Sequence, residues 1–374
     1  MRHRGLFFAT VLFFALNVTA ICWGQSFVTG DRLSLGLETN RSASARLGDV
    51  DGDGDLDVVV ANGRHWPQQN YVFFNRGTGV FSVARPLGTD LATTYACELA
   101  DLDGDGDLDI VTGNDMALGN VFLNDGSGRF QHHSTYGEVS SVRSLTLADI
   151  DADGDVDIVV TSRGRQNRMY LNDGKASFSD GPTFGSKADS TIDVAVCDVN
   201  QDGQQDLILA NRDGQQSCLL LNDGKQGFEP RRPFGKRGVD SRSVAAADID
   251  GDGNLDWVTG NIGHANTIYF GDGKGGTTKQ VDFGADDART YTLALADIDN
   301  DGDIDVVTGN VGQRNAVFFN QDGGTKFSKT AFGSATAATY GLCVGDLNGD
   351  GFADVVSADS GTLNHVHLYR RQRQ

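Results

Sequence analysis

Seven short acidic segments carry the most specific chemistry in this 374-residue chain. They read DVDGDGDLD from Asp49, DLDGDGDLD from Asp101, DIDADGDVD from Asp149, DVNQDGQQD from Asp198, DIDGDGNLD from Asp248, DIDNDGDID from Asp297 and DLNGDGFAD from Asp346. Position 6 is Gly in every segment, and positions 1, 3, 5 and 9 are Asp or Asn. Alternate side-chain oxygens, with one carbonyl from position 7, form the donor set that a hard divalent cation such as Ca²⁺ takes, and Gly permits the sharp turn between them.

The ligand positions, with position 7 acting through its carbonyl, are Asp49, Asp51, Asp53, Asp55 and Asp57 in the first segment, then Asp101, Asp103, Asp105, Asp107 and Asp109 in the second. The third offers Asp149, Asp151, Asp153, Asp155 and Asp157, and the fourth Asp198, Asn200, Asp202, Gln204 and Asp206. The last three offer Asp248, Asp250, Asp252, Asn254 and Asp256; Asp297, Asp299, Asp301, Asp303 and Asp305; and Asp346, Asn348, Asp350, Phe352 and Asp354. An EF-hand needs an acid at position 12. That position holds Val60, Thr112, Val160, Leu209, Thr259, Thr308 and Ser357, so EF-hands and dockerin-type modules are excluded. Up to seven structural Ca²⁺ ions are expected.

These segments recur at spacings of 52, 48, 49, 50, 49 and 49 residues, so the chain is built from one repeated unit. A strand-like run precedes each acidic loop, as in Ser144-Leu145-Thr146-Leu147-Ala148, and a β-branched run follows it, as in Asp157-Ile158-Val159-Val160-Thr161. A Gly/Asn-rich loop, a third strand such as Val121-Phe122-Leu123, a tight Asn-Asp-Gly hairpin turn (Asn124-Asp125-Gly126) and a fourth strand complete the unit. Four short antiparallel strands repeated seven times predict an all-β fold, a seven-bladed β-propeller. The last unit stops after its third strand at Val366-His367-Leu368-Tyr369, and the segment from Gln25 to Gly36 resembles the missing fourth strand. The N-terminal strand is therefore expected to complete the last blade and close the ring, making residues 25–374 one domain.

Acids outnumber bases 51 to 31, for a net charge of −20, which argues against nucleic acid or an anionic membrane surface as partner. The four metal positions of seven loops, with Asn at two of them, hold 26 of those carboxylates, so the acidity reflects metal sites rather than a cationic partner. Met1-Arg2-His3-Arg4 followed by an apolar stretch over residues 5–22 reads as an export signal, removed after Ala20 or Gly24, so residues 1–24 are assigned as a leader. Ile21 before Cys22 is too bulky for a lipoprotein signal, and no later apolar run could span a bilayer. The expected destination is secreted, periplasmic or cell-surface, and the expected state a monomer. Cys97, Cys197, Cys218 and Cys343 sit in apolar strand-like runs without framework spacing, and are expected to be free thiols.

The acidic loops, with the Phe-Gly endings at Phe184-Gly185, Phe234-Gly235, Phe283-Gly284 and Phe332-Gly333, resemble FG-GAP/VCBS repeats, a family that includes the propeller of integrin alpha subunits and many secreted bacterial proteins. The Gly-Ala-Pro part of the integrin repeat is missing, so the chain resembles the bacterial variety. The resemblance implies a seven-bladed propeller with calcium in the first interstrand loop of each blade, and a ligand on the opposite face. It does not imply one function.

Six residues before each loop stand Ala43, Tyr95, Arg143, Ile192, Arg242, Tyr291 and Tyr340. Stacking rings and forked donors at the mouth of the innermost strand suit sugars, carboxylates or peptide, although such residues could also simply plug the central channel. The loops after the second strands add Asn62, Arg64, His65, Trp66, Asn114, Arg163, Arg165, Asn211, Arg212, Asn261, His264, Asn310 and Arg314. Their recurring Asn residues are expected to cap turns, and Trp66 beside His65, unique to the first blade, to anchor a ligand. There is no GxSxG, HExxH or Walker A sequence. The first expectation is a secreted calcium-stabilised binding protein for a glycan or protein. The enzyme alternative is a polysaccharide lyase using His65 or His264 with Tyr95 or Tyr291, and a third is an envelope scaffold.

Overall fold

A computed structural model describes residues 23–225 and 227–373. The repeat folds as read: seven four-stranded antiparallel sheets stand around an axis, each strand paired with the next in sequence. The first blade runs Ser42–Gly48, Asp57–Asn62, Tyr71–Phe74 and Val83–Pro86 from the axis outward. Every second strand is buried on both faces, which explains why runs such as Val58-Val59-Val60 are continuously apolar rather than alternating. Fourth strands such as Gln131–Tyr136 face solvent along most of their length.

The core is a set of clusters filling the gaps between blades. Val59, Val72 and Phe74 of the first blade pack on Ile110 and Phe122 of the second. The gap between last and first blades is filled in the same way by Val356, Val366 and Leu368 against Val58, Val60 and Phe73, so the ring closes without an uncovered blade face.

Closure occurs as expected. The strand Trp23–Val28 pairs antiparallel with Asn364–Arg373, in register Phe27↔Tyr369 and Val28↔Leu368, and completes the last blade. A second short segment, Ser34–Leu35, pairs with the same strand. The closing strand is also pinned by side chains: Thr29 Oγ1 lies 2.6 Å from His367 Nδ1, and Ser357 Oγ lies 3.0 Å from His367 Nε2. Residues 1–22, the greater part of the expected leader, lie outside the described residues. All four described cysteines are free thiols, Cys197 half-buried and the other three buried.

The outer hairpin differs from expectation. Asn124-Asp125-Gly126 does not make a two-residue turn, because the strands pair as Leu123↔Gln131 with seven residues between them. The physical reason is that Asn124 turns inward. Its Oδ1 accepts from the Gly128 N–H at 3.1 Å, and its Nδ2 donates to the Val50 carbonyl of the neighbouring blade at 2.8 Å.

Candidate functional site

Each acidic loop joins a first strand to a second at one end of the barrel of blades. The Asp at position 1 gathers the backbone: in the first blade Asp49 accepts from the N–H groups of Gly52 (2.8 Å), Asp53 (3.1 Å) and Gly54 (3.0 Å). Position 6 has φ between +85° and +99° in all seven loops, a region that a side chain makes costly, which explains the invariant Gly. Position 4 is left-handed at lower φ, and there Ala152, Gln201 and Asn300 replace Gly.

Position 9 does more than offer a ligand. Asp57 is buried, and its two oxygens accept from Val50 N–H (3.2 Å) and Asn75 N–H (2.8 Å), tying loop to outer hairpin. The equivalent pair of bonds recurs at Asp109, Asp157, Asp206, Asp256, Asp305 and Asp354. Burial pushes these carboxyls up, to about 7 at Asp57, Asp305 and Asp354 and to about 6 at the others. Burial, reinforced by neighbouring carboxylates, likewise raises Asp51, Asp103, Asp151 and Asp299.

Among the described residues, carboxylate oxygens converge within 4.8 Å of one another in five groups: Asp49-Asp51-Asp53, Asp101-Asp103-Asp109, Asp149-Asp151-Asp157, Asp248-Asp250-Asp256 and Asp297-Asp299-Asp305. That spacing is about twice a calcium–oxygen bond, so each group fits around one hard cation. Asp51 Oδ1, Asp149 Oδ1, Asp250 Oδ1 and Asp299 Oδ1 are buried with no hydrogen-bond partner, an arrangement that a cation would satisfy. The residues therefore fit a divalent metal.

Asn at position 3 sets the fourth and seventh loops apart. Asn200 Nδ2 donates to Asp202 Oδ2 at 2.9 Å, and Asn348 Nδ2 to Asp354 Oδ2 at 3.1 Å, so an amide proton partly replaces cation charge there. Position 7 side chains turn away from the cluster; Asp55, Asp107 and Asp155 lie against Gly77, Gly126 and Gly174 of their own outer hairpins. Only the backbone at position 7 could contribute, in keeping with the Gln204, Asn254 and Phe352 found there.

The opposite end is organised by a single backbone device. In every blade the first strand breaks register near its start, at Ser42/Ser44, Thr94/Ala96, Val142/Ser144, Thr191/Asp193, Ser241/Ser243, Thr290/Thr292 and Thr339/Gly341. The residue skipped is the one six positions before the acidic loop, so Ala43, Tyr95, Arg143, Ile192, Arg242, Tyr291 and Tyr340 are all β-bulge residues, the feature that re-aims a side chain out of the ladder. Six of the seven, all but Ile192, line an axial cavity of about 340 Å³.

Arg143 sits 4.5 Å over the Tyr95 ring and pairs with Asp115 at 3.0 Å. Tyr291 and Tyr340 meet edge-on at 5.1 Å, and Arg242 lies 6.0 Å from the Tyr291 ring. Arg64 reaches in from the second-strand loop to 3.6 Å over Tyr340. His65 joins the same mouth, with Nδ1 2.9 Å from Tyr95 Oη. Burial raises the Tyr95 hydroxyl, and burial with the nearby Arg64 and Arg143 charges lowers His65.

Trp66 does not join this group. It is 63% exposed and stands beside Arg41 at 5.8 Å. His264 likewise stays with its own loop, its Nδ1 3.3 Å from the Ile262 carbonyl. The recurring loop asparagines hold turns, as Asn62 Nδ2 to Gln69 O, Asn261 Nδ2 to Ala265 O and Asn310 Nδ2 to Arg314 O show.

Inside the cavity, Arg46 pairs through both Nε and Nη2 with Glu98 at 2.7 and 2.5 Å. Sequence reasoning missed this pair. Its signal was the register three residues before the loop, which is Thr146, Ala195, Ala245, Ala294 and Cys343 in five blades and charged only in adjacent blades one and two.

No helix among the described residues is long and apolar enough to cross a membrane. No curated protein matches the chain. Among solved structures, BBS1N in complex with ARL6DN, in a crystal soaked with mercury, superposes with a TM-score of 0.63 at 11% identity, covering 94% of this chain and 98% of that one. A lead-soaked crystal of the same complex gives 0.62 at 11%, covering 94% and 99%. At that identity the likeness is one of fold. The FG-GAP-like repeat matches residues 49–112, 101–160, 149–209, 198–259, 252–308 and 297–357, overlapping windows that mostly run from one acidic loop past the next. Six such matches spanning residues 49–357 place the chain in the FG-GAP-like repeat family.

Proposed function

We propose that this chain is an exported binding propeller, held by Ca²⁺ in its acidic loops, that takes a glycan or protein ligand at the axial mouth opposite those loops. The observation that carries the reading is the bulge common to all seven blades, which brings Tyr95, Arg143, Arg242, Tyr291 and Tyr340 to one cavity. A residue that merely filled a channel would need neither the bulge nor the guanidinium groups, since burying cations without anions is costly. Calcium would be held by side chains at positions 1, 3, 5 and 9, with tightest binding at the five all-acid groups. The seven-site count is the upper bound. Retention of the calcium-loaded protein on immobilised neutral and anionic polysaccharides tests the reading. Retention that weakens in Arg143→Ala or Arg242→Ala supports it, and no retention on any glycan shifts it to a protein ligand.

The protein arm of this reading has its own support. Trp66, Leu91, Met116, Leu118 and Val139 are exposed large apolar residues on loops of the first three blades at this same end. The neighbour described above, BBS1N, is itself found in complex with a second protein. The lyase alternative draws on the His65–Tyr95 contact under Arg143. Against it, Tyr95 is buried and its hydroxyl is pushed up rather than down, the wrong direction for a general base.

A further inference from the structure

The axial mouth gathers positive charge in a chain whose net charge is −20. Arg46 and Arg143 have carboxylate partners in Glu98 and Asp115. Three further guanidinium groups have none within ion-pair distance among the described residues. Arg64 lies on the Tyr340 ring, Arg242 stands beside Tyr291, and the Nε of Arg212 is buried with no hydrogen-bond partner. Two acids act on this set and both are engaged: Asp193 Oδ2 accepts from the Ser243 hydroxyl at 3.0 Å and the Val244 N–H at 3.1 Å, and Asp213, beside Arg212, pairs with Arg163 at 2.6 Å. Burial, with the charges of Arg212 and Arg64 acting against Asp193, pulls Arg242 down to about 10. A half-buried set of cations that repel one another, with its two neighbouring acids engaged elsewhere, is the converse of the metal loops: it needs an anion.

What surrounds the cations narrows the anion. Hydroxyl residues Ser44, Thr146 and Thr292 line the cavity beside the Tyr291 and Tyr340 rings. At about 340 Å³ it is near the lower limit of small-molecule sites, fit for a chain end rather than an extended peptide. Ring faces, hydroxyls and forked donors together suit a sugar that carries a charge. We infer that the axial mouth binds an acidic saccharide, its carboxylate or sulfate held by Arg64, Arg212 and Arg242 and its ring set against Tyr291 and Tyr340. This rests on the reading of the mouth as the ligand site.

The test is calorimetric titration of the calcium-loaded protein with four probes: a glucuronate-containing tetrasaccharide, its neutral methyl ester, a sulfated tetrasaccharide and an oligoglutamate peptide. The expected result is binding of the glucuronate or the sulfated probe, with the two arms identifying which oxyanion is preferred. The ester should bind at least tenfold more weakly, and affinity should fall as salt is raised. Arg212→Gln and Arg242→Gln should each lower affinity about tenfold, the loss of roughly one charge-assisted contact. Arg64→Gln, a residue of the outer loop, gives the same readout if either deeper variant fails to fold, and melting temperatures in calcium identify such failure. Equal binding of acid and ester, both lost in Tyr291→Ala, would overturn the charge inference and leave the ligand site standing. Preference for oligoglutamate, or affinity unchanged in the Arg variants, would overturn it as well. No binding of any probe would overturn the acidic-saccharide inference and leave the mouth to a protein ligand.

Discussion

Asn124 Nδ2 donates a 2.8 Å hydrogen bond to the Val50 carbonyl, joining the outer hairpin of the second blade to the acidic loop of the first. The same contact links Asn172 to Leu102, Asn320 to Ile249 and, across the closing seam, Asn75 to Leu347. Loop geometry and blade packing are thus one structure, so whatever orders the loops also orders the ring. Asn124→Ala is expected to destabilise the protein by about 2 kcal/mol, since it leaves buried backbone carbonyls without their donor. It should also weaken metal binding at the first loop, which chemical denaturation and calcium titration of the variant would measure.

Backbone conformation makes a separate prediction at position 6. Gly54 has φ of +93° with open space around a Cβ, so Gly54→Ala isolates conformational strain from collision. The expected cost is about 1–3 kcal/mol. Gly52→Ala, at φ +73°, should cost less, because Ala152 occupies the equivalent position of the third loop at φ +62°. Equal losses by thermal unfolding would contradict the assignment of strain to position 6.

Asn200 offers a test in which the sign depends on the metal. Asn200→Asp removes the amide donor to Asp202 and adds a fourth carboxylate to a loop that already holds Asp198, Asp202 and Asp206. In chelator the variant should be less stable by about 1 kcal/mol through like-charge repulsion. In millimolar calcium it should be more stable than the parent, because a completed acid group binds tighter. A change of one sign in both conditions would contradict a cation site in the fourth blade.

The closing seam should respond to acid. His367 is buried between Thr29 and Ser357, and burial, with His365 adding and Asp359 opposing, holds it below the usual imidazole range. A base whose folded value is depressed binds its proton more readily when unfolded, so stability falls as pH drops below about 6.5. In saturating calcium the loss between pH 7 and pH 5 should be about 1–2 kcal/mol larger for the parent than for His367→Gln. Melting temperatures of the two proteins across that range would show it, and parallel curves would refute it.

Much of this was legible because it recurs at fixed offset. The acidic loops, the blade count and the closing strand all follow from one unit repeated seven times, and the Tyr/Arg ring from a register that every blade shares. What the sequence did not display are contacts between blades. Arg46 meets Glu98 across 52 residues, and the clustering of Arg64 and Arg212 with Arg242 depends on loops brought together only by the curvature of the ring. The hairpin asparagines were misread as tight-turn formers for the same reason, since their partner is a carbonyl in another blade. The separation of Trp66 from the ring was equally hidden, because its neighbour His65, at φ +73°, turns into the mouth while the indole is left in solvent.

If cations in the acidic loops hold the propeller together, its melting temperature must differ between excess calcium and excess chelator. With free calcium near ~1 mM and dissociation constants of ~0.1–1 mM, each site contributes about 0.4–1.4 kcal/mol. Over the five all-acid groups this sums to about 2–7 kcal/mol, and the melting temperature should be higher in calcium by on the order of 3–10 °C. An unchanged melting temperature would contradict it.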